Sequence, residues 1–123
     1  MKKRNVIKAA ILLTGALLLT GCGKDADNEL SRIQKDGVLK VGVEGTYPPI
    51  TYHDENGDLT GFDVDLAKAL GEKLGVKVEF TESEWDSLLA AVDSGRIDTV
   101  INAVSITDER KEKYDFSEPY ISV

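Results

Sequence analysis

Thr99-Val-Ile-Asn-Ala-Val-Ser-Ile-Thr-Asp-Glu-Arg110 decides how the rest of the chain is read. Thr99-Val100-Ile101 is a short apolar run of the kind that forms a buried strand. Asn102 to Arg110 then offers a Ser, a Thr placed as an N-cap, two acids in a first helical turn, and an Arg. A strand end followed by free backbone N–H groups at a helix start favours an anion. A guanidinium beside it can grip a carboxylate through two parallel hydrogen bonds. The plainer reading is a capped surface helix with a solvated Arg. Both readings stand on these residues alone, and the flanking chain has to separate them.

Working outward, the same pattern recurs upstream. Glu29 to Lys35 carries Leu30 and Ile33 at helical spacing, with Gly37 placed to close the helix. Val38-Leu-Lys-Val-Gly-Val43 is dense enough in apolar residues for burial on both faces, as in a parallel sheet. Glu44 to Ile50 reads as an irregular loop, because two adjacent prolines cannot continue a central strand. Thr51 to Thr60 reads as a hairpin turning at Asn56-Gly57, both residues taking positive φ. Asp54, Asn56 and Asp58 lack the later ligands of a calcium loop, and no metal is expected. His53, the single histidine, is expected to be an exposed hairpin residue.

Phe62 to Leu74 predicts a helix whose inward face is Phe62, Leu66, Ala69, Leu70 and Leu74, with Gly75 at its end. Asp63 and Asp65 fall in its first turn, where the dipole favours acids. Val76 to Phe80 alternates as a second strand. Ser83 is placed to cap the next helix, with Asp86 completing a capping box. That helix carries Trp85, Leu88, Leu89 and Val92 on one face and ends at Gly95. Ile97 to Ile101 is the third strand, the last helix spans about 108–113, and Tyr114 to Ser117 is extended.

Strand and helix alternating three times predicts a parallel α/β sheet with right-handed crossovers. Ligands bind such sheets beyond the carboxyl ends of the strands. The segments leaving those ends are 44–49, 82–85 and 102–107. Chain order therefore gathers Tyr47, Trp85, Ser105 and Arg110 on one rim.

The beginning of the chain is of a different kind. Met1 to Asn5 is basic, Val6 to Leu19 is mostly apolar, and Leu19-Thr-Gly-Cys22 ends the run. This is the layout of an export signal, with an apolar core too short to span a bilayer. Its end resembles the lipobox of bacterial lipoproteins, which implies cleavage before Cys22 and lipidation of that thiol. With one Cys in the chain, an intramolecular disulfide is impossible. Residues 1–21 are thus read as a signal peptide, 22–28 as a lipidated tether and 29–123 as the folded lobe. An acylated Cys anchors a chain to a membrane face without crossing it. Without Lys2, Lys3, Arg4 and Lys8, 22 acids face 11 bases, a net charge of −11. So acidic a surface argues against nucleic acid as a partner.

Glu44-Gly-Thr-Tyr-Pro-Pro, Gly61-Phe-Asp-Val-Asp-Leu-Ala, Leu74-Gly-Val-Lys-Val-Glu-Phe, Trp85-Asp-Ser-Leu-Leu-Ala, Ser105-Ile-Thr-Asp-Glu-Arg and Tyr114-Asp-Phe-Ser-Glu-Pro-Tyr occur in that order. Together they resemble the first lobe of the polar amino acid solute-binding proteins of ABC importers, over Leu30 to Val123. The resemblance implies a two-lobed periplasmic-binding-protein-like fold of which this chain holds the first lobe, the second being absent. It implies an extracytoplasmic, membrane-anchored monomer without cofactor that delivers an amino acid to permease subunits. Arg110 would hold the ligand α-carboxylate and Ser105 would add donors. Tyr47 and Trp85 would line the side-chain pocket, Asn102 and Ala103 would make short rim contacts, and Glu44 would stand near the ligand. The pattern is most similar to the cystine-binding branch, with two departures: Ala103 where a Gln is expected and Ile50 where a Phe is usual. A lobe alone, with half the contacts, is expected to bind no amino acid tightly. The competing readings are a periplasmic-type dehydratase or cell-wall lyase on the same fold, and a receptor's sensor domain. Catalysis would need an acid or base in the cleft, and Glu44 has no His or nucleophile paired with it in the sequence pattern.

Overall fold

The computed structural model describes residues 28–122. The expected signal segment, Cys22 and all of the tether but Asn28 lie outside the described residues. Helix α1 spans Glu29–Asp36 and ends on Gly37 at φ 72°, whose N–H returns to the Ile33 carbonyl. Its N-cap is Asn28, which accepts from Ser31 N at 2.8 Å. Strand β1 is Val38–Val43, as expected.

The segment after β1 departs from an irregular loop. Thr46–Tyr47 forms a short strand, β2, paired antiparallel with β3, Thr51–His53, and a turn between them closes with Ile50 N donating to Tyr47 O at 2.8 Å. Pro48 and Pro49, joined by a cis peptide bond, occupy that turn and therefore interrupt no ladder. Strand β4, Leu59–Thr60, pairs back onto β3. Only Gly57 of the Asn56-Gly57 pair has positive φ, so the connection is not the two-residue turn expected. Asp54 builds a longer one: its Oδ1 accepts from Asn56 N and Asp58 N, and its carbonyl accepts from Gly57 N. These bonds hold the Asp54 carboxyl below the usual carboxylate range.

Helix α2 is Phe62–Leu74, at the expected bounds, with its inward face turned from the expected stripe. Asp63, Val64, Ala67 and Gly71 are buried, while Phe62 and Leu70 are exposed. Small residues win that face because the helix packs tightly on β5, Lys77–Glu82: a Cβ at Gly71 would sit 2.4 Å from Val78 Cγ2. The first N–H groups of α2 donate to the carbonyls of Pro49 and Ile50 rather than to a side-chain cap.

Helix α3 is Trp85–Asp93, and its N-cap is Glu84, so Ser83 does not form the expected capping box. Ser83 N donates instead to Val43 O at 3.1 Å, continuing the strand ladder past β5. Strand β6 is Thr99–Val100, flanked by ladder bonds from Asp98 N to Lys40 O and from Ile101 N to Gly42 O. Helix α4 is only Asp108–Lys111, capped by Thr107 as expected. Tyr114 to Ser117 joins no sheet.

The main sheet is parallel, in the order β5-β1-β6. Val38 pairs with Lys77 through Val43 with Glu82 on one side, and Gly42 with Val100 on the other. One face is covered by α1 and α2 through Ile33, Leu39, Val41, Val43, Ala67 and Ile101. The other face is covered by α3, where a Cβ on Gly42 would meet Ile97 and Leu88. Arg32 of α1 pairs with Asp98, whose Oδ2 accepts from Lys40 N at 2.8 Å, tying the helix to the lead-in of β6. The centre strand has a crossover to either side, and the exits of all three strands share one edge.

Glycine at 61 is what lets α2 start against the proline turn. Its φ is 126°, and a Cβ there would lie 2.2 Å from the Ile50 carbonyl oxygen. Gly61→Ala is expected to cost more than about 2 kcal/mol of folding stability in urea unfolding. Gly57→Ala, at φ 84° in open space, should cost only about 1–2 kcal/mol; equal costs would contradict the packing described.

Candidate functional site

The three strand exits enclose a cleft of about 280 Å³ lined by Glu44, Tyr47, Trp85, Asn102, Ala103, Ser105 and Arg110. All seven residues singled out in the sequence therefore meet in one place. Their roles within it differ.

Arg110 is held from two directions. Its Nη1 donates to the Ser105 carbonyl at 2.8 Å, and its guanidinium carbon lies 5.4 Å from the centroid of the Trp85 ring. Stacking on an aromatic face leaves the edge donors of a guanidinium free. Among the described residues no acid pairs with Arg110, although the chain carries 22 acids. Its own N–H is taken by Thr107 Oγ1 at 3.2 Å. With four residues, α4 contributes little dipole, and the expected Thr107 cap takes one of its free N–H groups. The positive end of the cleft is the side chain of Arg110, not the helix start.

Asn102 lines the cleft but is 2% exposed, and its side chain bonds inward. Its Oδ1 accepts from Thr51 Oγ1 at 2.6 Å and from Glu44 N at 2.9 Å, and its Nδ2 donates to Glu44 Oε2 at 3.3 Å. One amide thus fastens the exit of β6 to the exit of β1 and to the hairpin. Glu44 is oriented by that amide and has no His or nucleophile bonded to it. His53 is exposed but braced: its Nδ1 lies 3.2 Å from Gly45 O and its Nε2 3.2 Å from Glu82 Oε1. Tyr47 is an exposed aromatic wall facing Trp85 across the opening.

Asp63 is the residue that sequence reasoning missed. Read as a first-turn helix acid, it is fully buried. Its Oδ2 accepts from Ala103 N at 2.6 Å and from the Tyr120 hydroxyl at 3.1 Å, while Oδ1 has no partner. Burial raises its pKa, against the lowering effect of the bonds from Ala103 and Tyr120. Tyr120 is pushed up to about 12, first by burial and then by the Asp63 charge. The one local signal was an acid two positions after a glycine that starts a helix, and that signal points equally to a cap.

Among the described residues no group of His, Cys, Asp and Glu could hold a metal, and no helix is long and apolar enough to cross a membrane.

Residues 39–123 match the bacterial extracellular solute-binding proteins, family 3. The chain belongs to that family. It is 52% identical over 91 residues to the L-cystine-binding protein TcyJ of Escherichia coli K12, covering 74% of this chain and 34% of that protein. The L-cystine solute receptor of Neisseria gonorrhoeae, in an unliganded open conformation, superposes with a TM-score of 0.71 at 52% identity, over 76% of this chain and 40% of that one. Domain 1 of TmArgBP, in an arginine-bound form, gives a TM-score of 0.71 at 40% identity, over 72% of this chain and 71% of that one. The cyclohexadienyl dehydratase of Pseudomonas aeruginosa is also related, at 36% identity over 118 residues, 96% of this chain and 43% of that enzyme. The chain thus spans about a third to a half of the curated relatives it matches, corresponding to one lobe of an α/β binding fold.

The buried carboxyl makes a prediction with a definite sign. Asp63 keeps its proton to higher pH in the folded protein than at its ordinary value of 3.8. Between those two values the folded state binds more protons, so this contribution is complete below the ordinary value and is lost as pH rises through the raised one. The stability difference between wild type and Asp63→Asn, from urea unfolding at stepped pH, should shift against wild type across that window. A difference that is flat, or that moves in favour of wild type, would contradict the burial.

Proposed function

We propose that the cleft binds a free amino acid, L-cystine foremost, and that the chain is the first lobe of a binding protein serving an ABC importer. The observation that carries this reading is the Arg110 guanidinium, steadied by the Ser105 carbonyl and Trp85, with no acid partner among the described residues. A half-buried cation in so acidic a chain is expected to find a carboxylate, and the ligand's α-carboxylate is the one that fits. Two parallel hydrogen bonds from Arg110 would hold it, with Ser105 donating beside it. Tyr47 and Trp85 would flank the ligand side chain, and Glu44 and Ala103 would meet it on the wall between them. The names of the cystine-binding relatives support the choice of ligand.

The remaining architecture follows from the same reading. Residues 1–21 are a signal peptide, Cys22 carries the lipid, and 22–28 tether the lobe to the outer face of the cell membrane. A second lobe supplies the partner for the ligand ammonium, and closure of the two lobes presents a monomeric, loaded protein to the permease. No cofactor takes part. The related dehydratase supports a second reading, an enzyme on this scaffold. That reading needs a proton-transfer group in the cleft, and Glu44, bonded to an amide, is the candidate on this lobe. Recovery of the ligand unchanged after prolonged incubation separates carrier from enzyme.

In the protein carrying both lobes, Arg110→Ala should weaken L-cystine binding by about 2–5 kcal/mol in calorimetric titration. Arg110→Lys should also lose affinity because a point charge replaces the two-pronged grip. Unchanged affinity in Arg110→Ala would remove the carboxylate assignment. A thermal-shift panel at equal concentration ranks the ligands independently, since stabilisation rises with the logarithm of ligand concentration over Kd. A shift with glutamine or histidine and none with L-cystine would reject cystine.

A further inference from the structure

We propose that Asp63 is the positioning residue of the cleft: its buried carboxylate holds Ala103 in a left-handed conformation and couples that wall to the segment carrying Tyr120. Ala103 is the one non-glycine residue with positive φ among those described, at 48°. An alanine there carries the crowding of its Cβ against the backbone, so it persists only when its surroundings enforce it. The enforcing contact is the 2.6 Å bond from Ala103 N to Asp63 Oδ2. Asp63 lies outside the cleft, whereas Ala103 lines it. The turn at Ala103 directs the chain from the buried Asn102 to Ser105, whose carbonyl holds Arg110. The conformation of one residue therefore sets how the anchor of the wall and the support of the guanidinium are related.

The second half of the coupling is at Tyr120. Its hydroxyl donates to the same Oδ2 at 3.1 Å, and its ring stacks on Phe62, the neighbour of Asp63, with centroids 6.3 Å apart and planes 23° apart. Ring and carboxylate together clip the 117–122 segment onto the start of α2. The acid is held against a cost, since Oδ1 is buried with no partner among the described residues, while an apolar side chain would leave the Ala103 N–H unpaired. Movement of the Tyr120 segment removes one of the two donors on Oδ2 and alters the hold on Ala103. The clip thus reports the position of that segment to the cleft wall.

The test has a conformational arm, independent of any ligand, and a binding arm that rests on the amino-acid reading. In isotopically labelled protein, the carbon shifts and amide coupling of Ala103 report its φ. Wild type should give left-handed values. Asp63→Asn, which keeps the shape with a weaker acceptor, should move them toward the ordinary helical or extended range, and Tyr120→Phe should move them in the same direction by less. Asp63→Asn should also lower affinity for L-cystine roughly tenfold. Adding Ala103→Gly, which takes positive φ without strain, should recover most of that affinity while the melting temperature stays low. Ala103 shifts unchanged in both single variants would overturn the proposal, as would failure of Ala103→Gly to recover affinity. If Asp63→Asn does not fold, Tyr120→Phe decides by the same shifts. The binding arm uses the protein carrying both lobes; if its wild type binds no amino acid, the functional reading fails while the Ala103 shifts still decide the coupling.

Discussion

The structure of the cleft depends on one buried amide. Asn102 Oδ1 takes the Thr51 hydroxyl and the Glu44 N–H, and so joins three segments, two of them 51 and 58 residues away from it in the chain. Two of them are exits of neighbouring parallel strands, and the third is the hairpin beneath the proline turn. In a buried setting each of these donors would cost about 1–3 kcal/mol if left unpaired. The polar group is therefore a strong constraint on which arrangement of loops is allowed. Everything that lines the cleft is referenced to it: Glu44 through its backbone and carboxylate, Tyr47 through the short sheet, and Ala103 and Ser105 through chain connectivity.

On that frame the charge arrangement makes sense. Most of the ion pairs are local and exposed, such as Lys111 with Asp108, and contribute little. Arg32 is different, because it joins Glu29, Asp36 and Asp98 and is thereby fully used in holding α1. Arg110 has the opposite character: its direction is set by a carbonyl and an aromatic face, neither of which neutralises it. A cation positioned by neutral groups is the feature on which the proposed carboxylate site rests. The parallel sheet supplies the place for it, since the exits on both sides of β1 open onto the same edge.

How much of this was legible in the sequence follows from the range of each interaction. The bounds of β1 and α2, the Gly37 cap and the Thr107 cap rest on contacts within a few residues, and local patterns carry them. Leu66 and Leu74 of the expected stripe do pack against the core, but Phe62 and Leu70 were misjudged because they are larger apolar residues than the Ala67 and Gly71 that are buried instead. Packing distance to Val78 decided the matter, and a helical stripe contains no such distance. Tyr47, Trp85, Ser105 and Arg110 were legible because chain order brings strand exits to one edge, whereas Glu44, Asn102 and Ala103 were named through the family resemblance. Asp63 was not legible, because its partners lie 40 and 57 residues away. The inward use of Asn102 depends on Thr51, 51 residues distant, and was equally hidden.

The central claim is that an amino acid's carboxylate is held by the free edge of the Arg110 guanidinium, which stacks on Trp85. Trp85 lines the cleft, and a Trp85→Phe variant of the protein carrying both lobes assigns its indole N–H resonance. The most direct measurement is a proton–nitrogen correlation map of the labelled protein carrying both lobes, titrated with L-cystine and with L-glutamine, and with the decarboxylated amine of each as control. The account predicts shifts at the Trp85 indole, the Arg110 side chain and the Ala103 and Ser105 amides with the amino acids, and their loss with the amines. Equal shifts with the amines, or shifts confined to the 54–58 turn and the exposed face of α2, would contradict it.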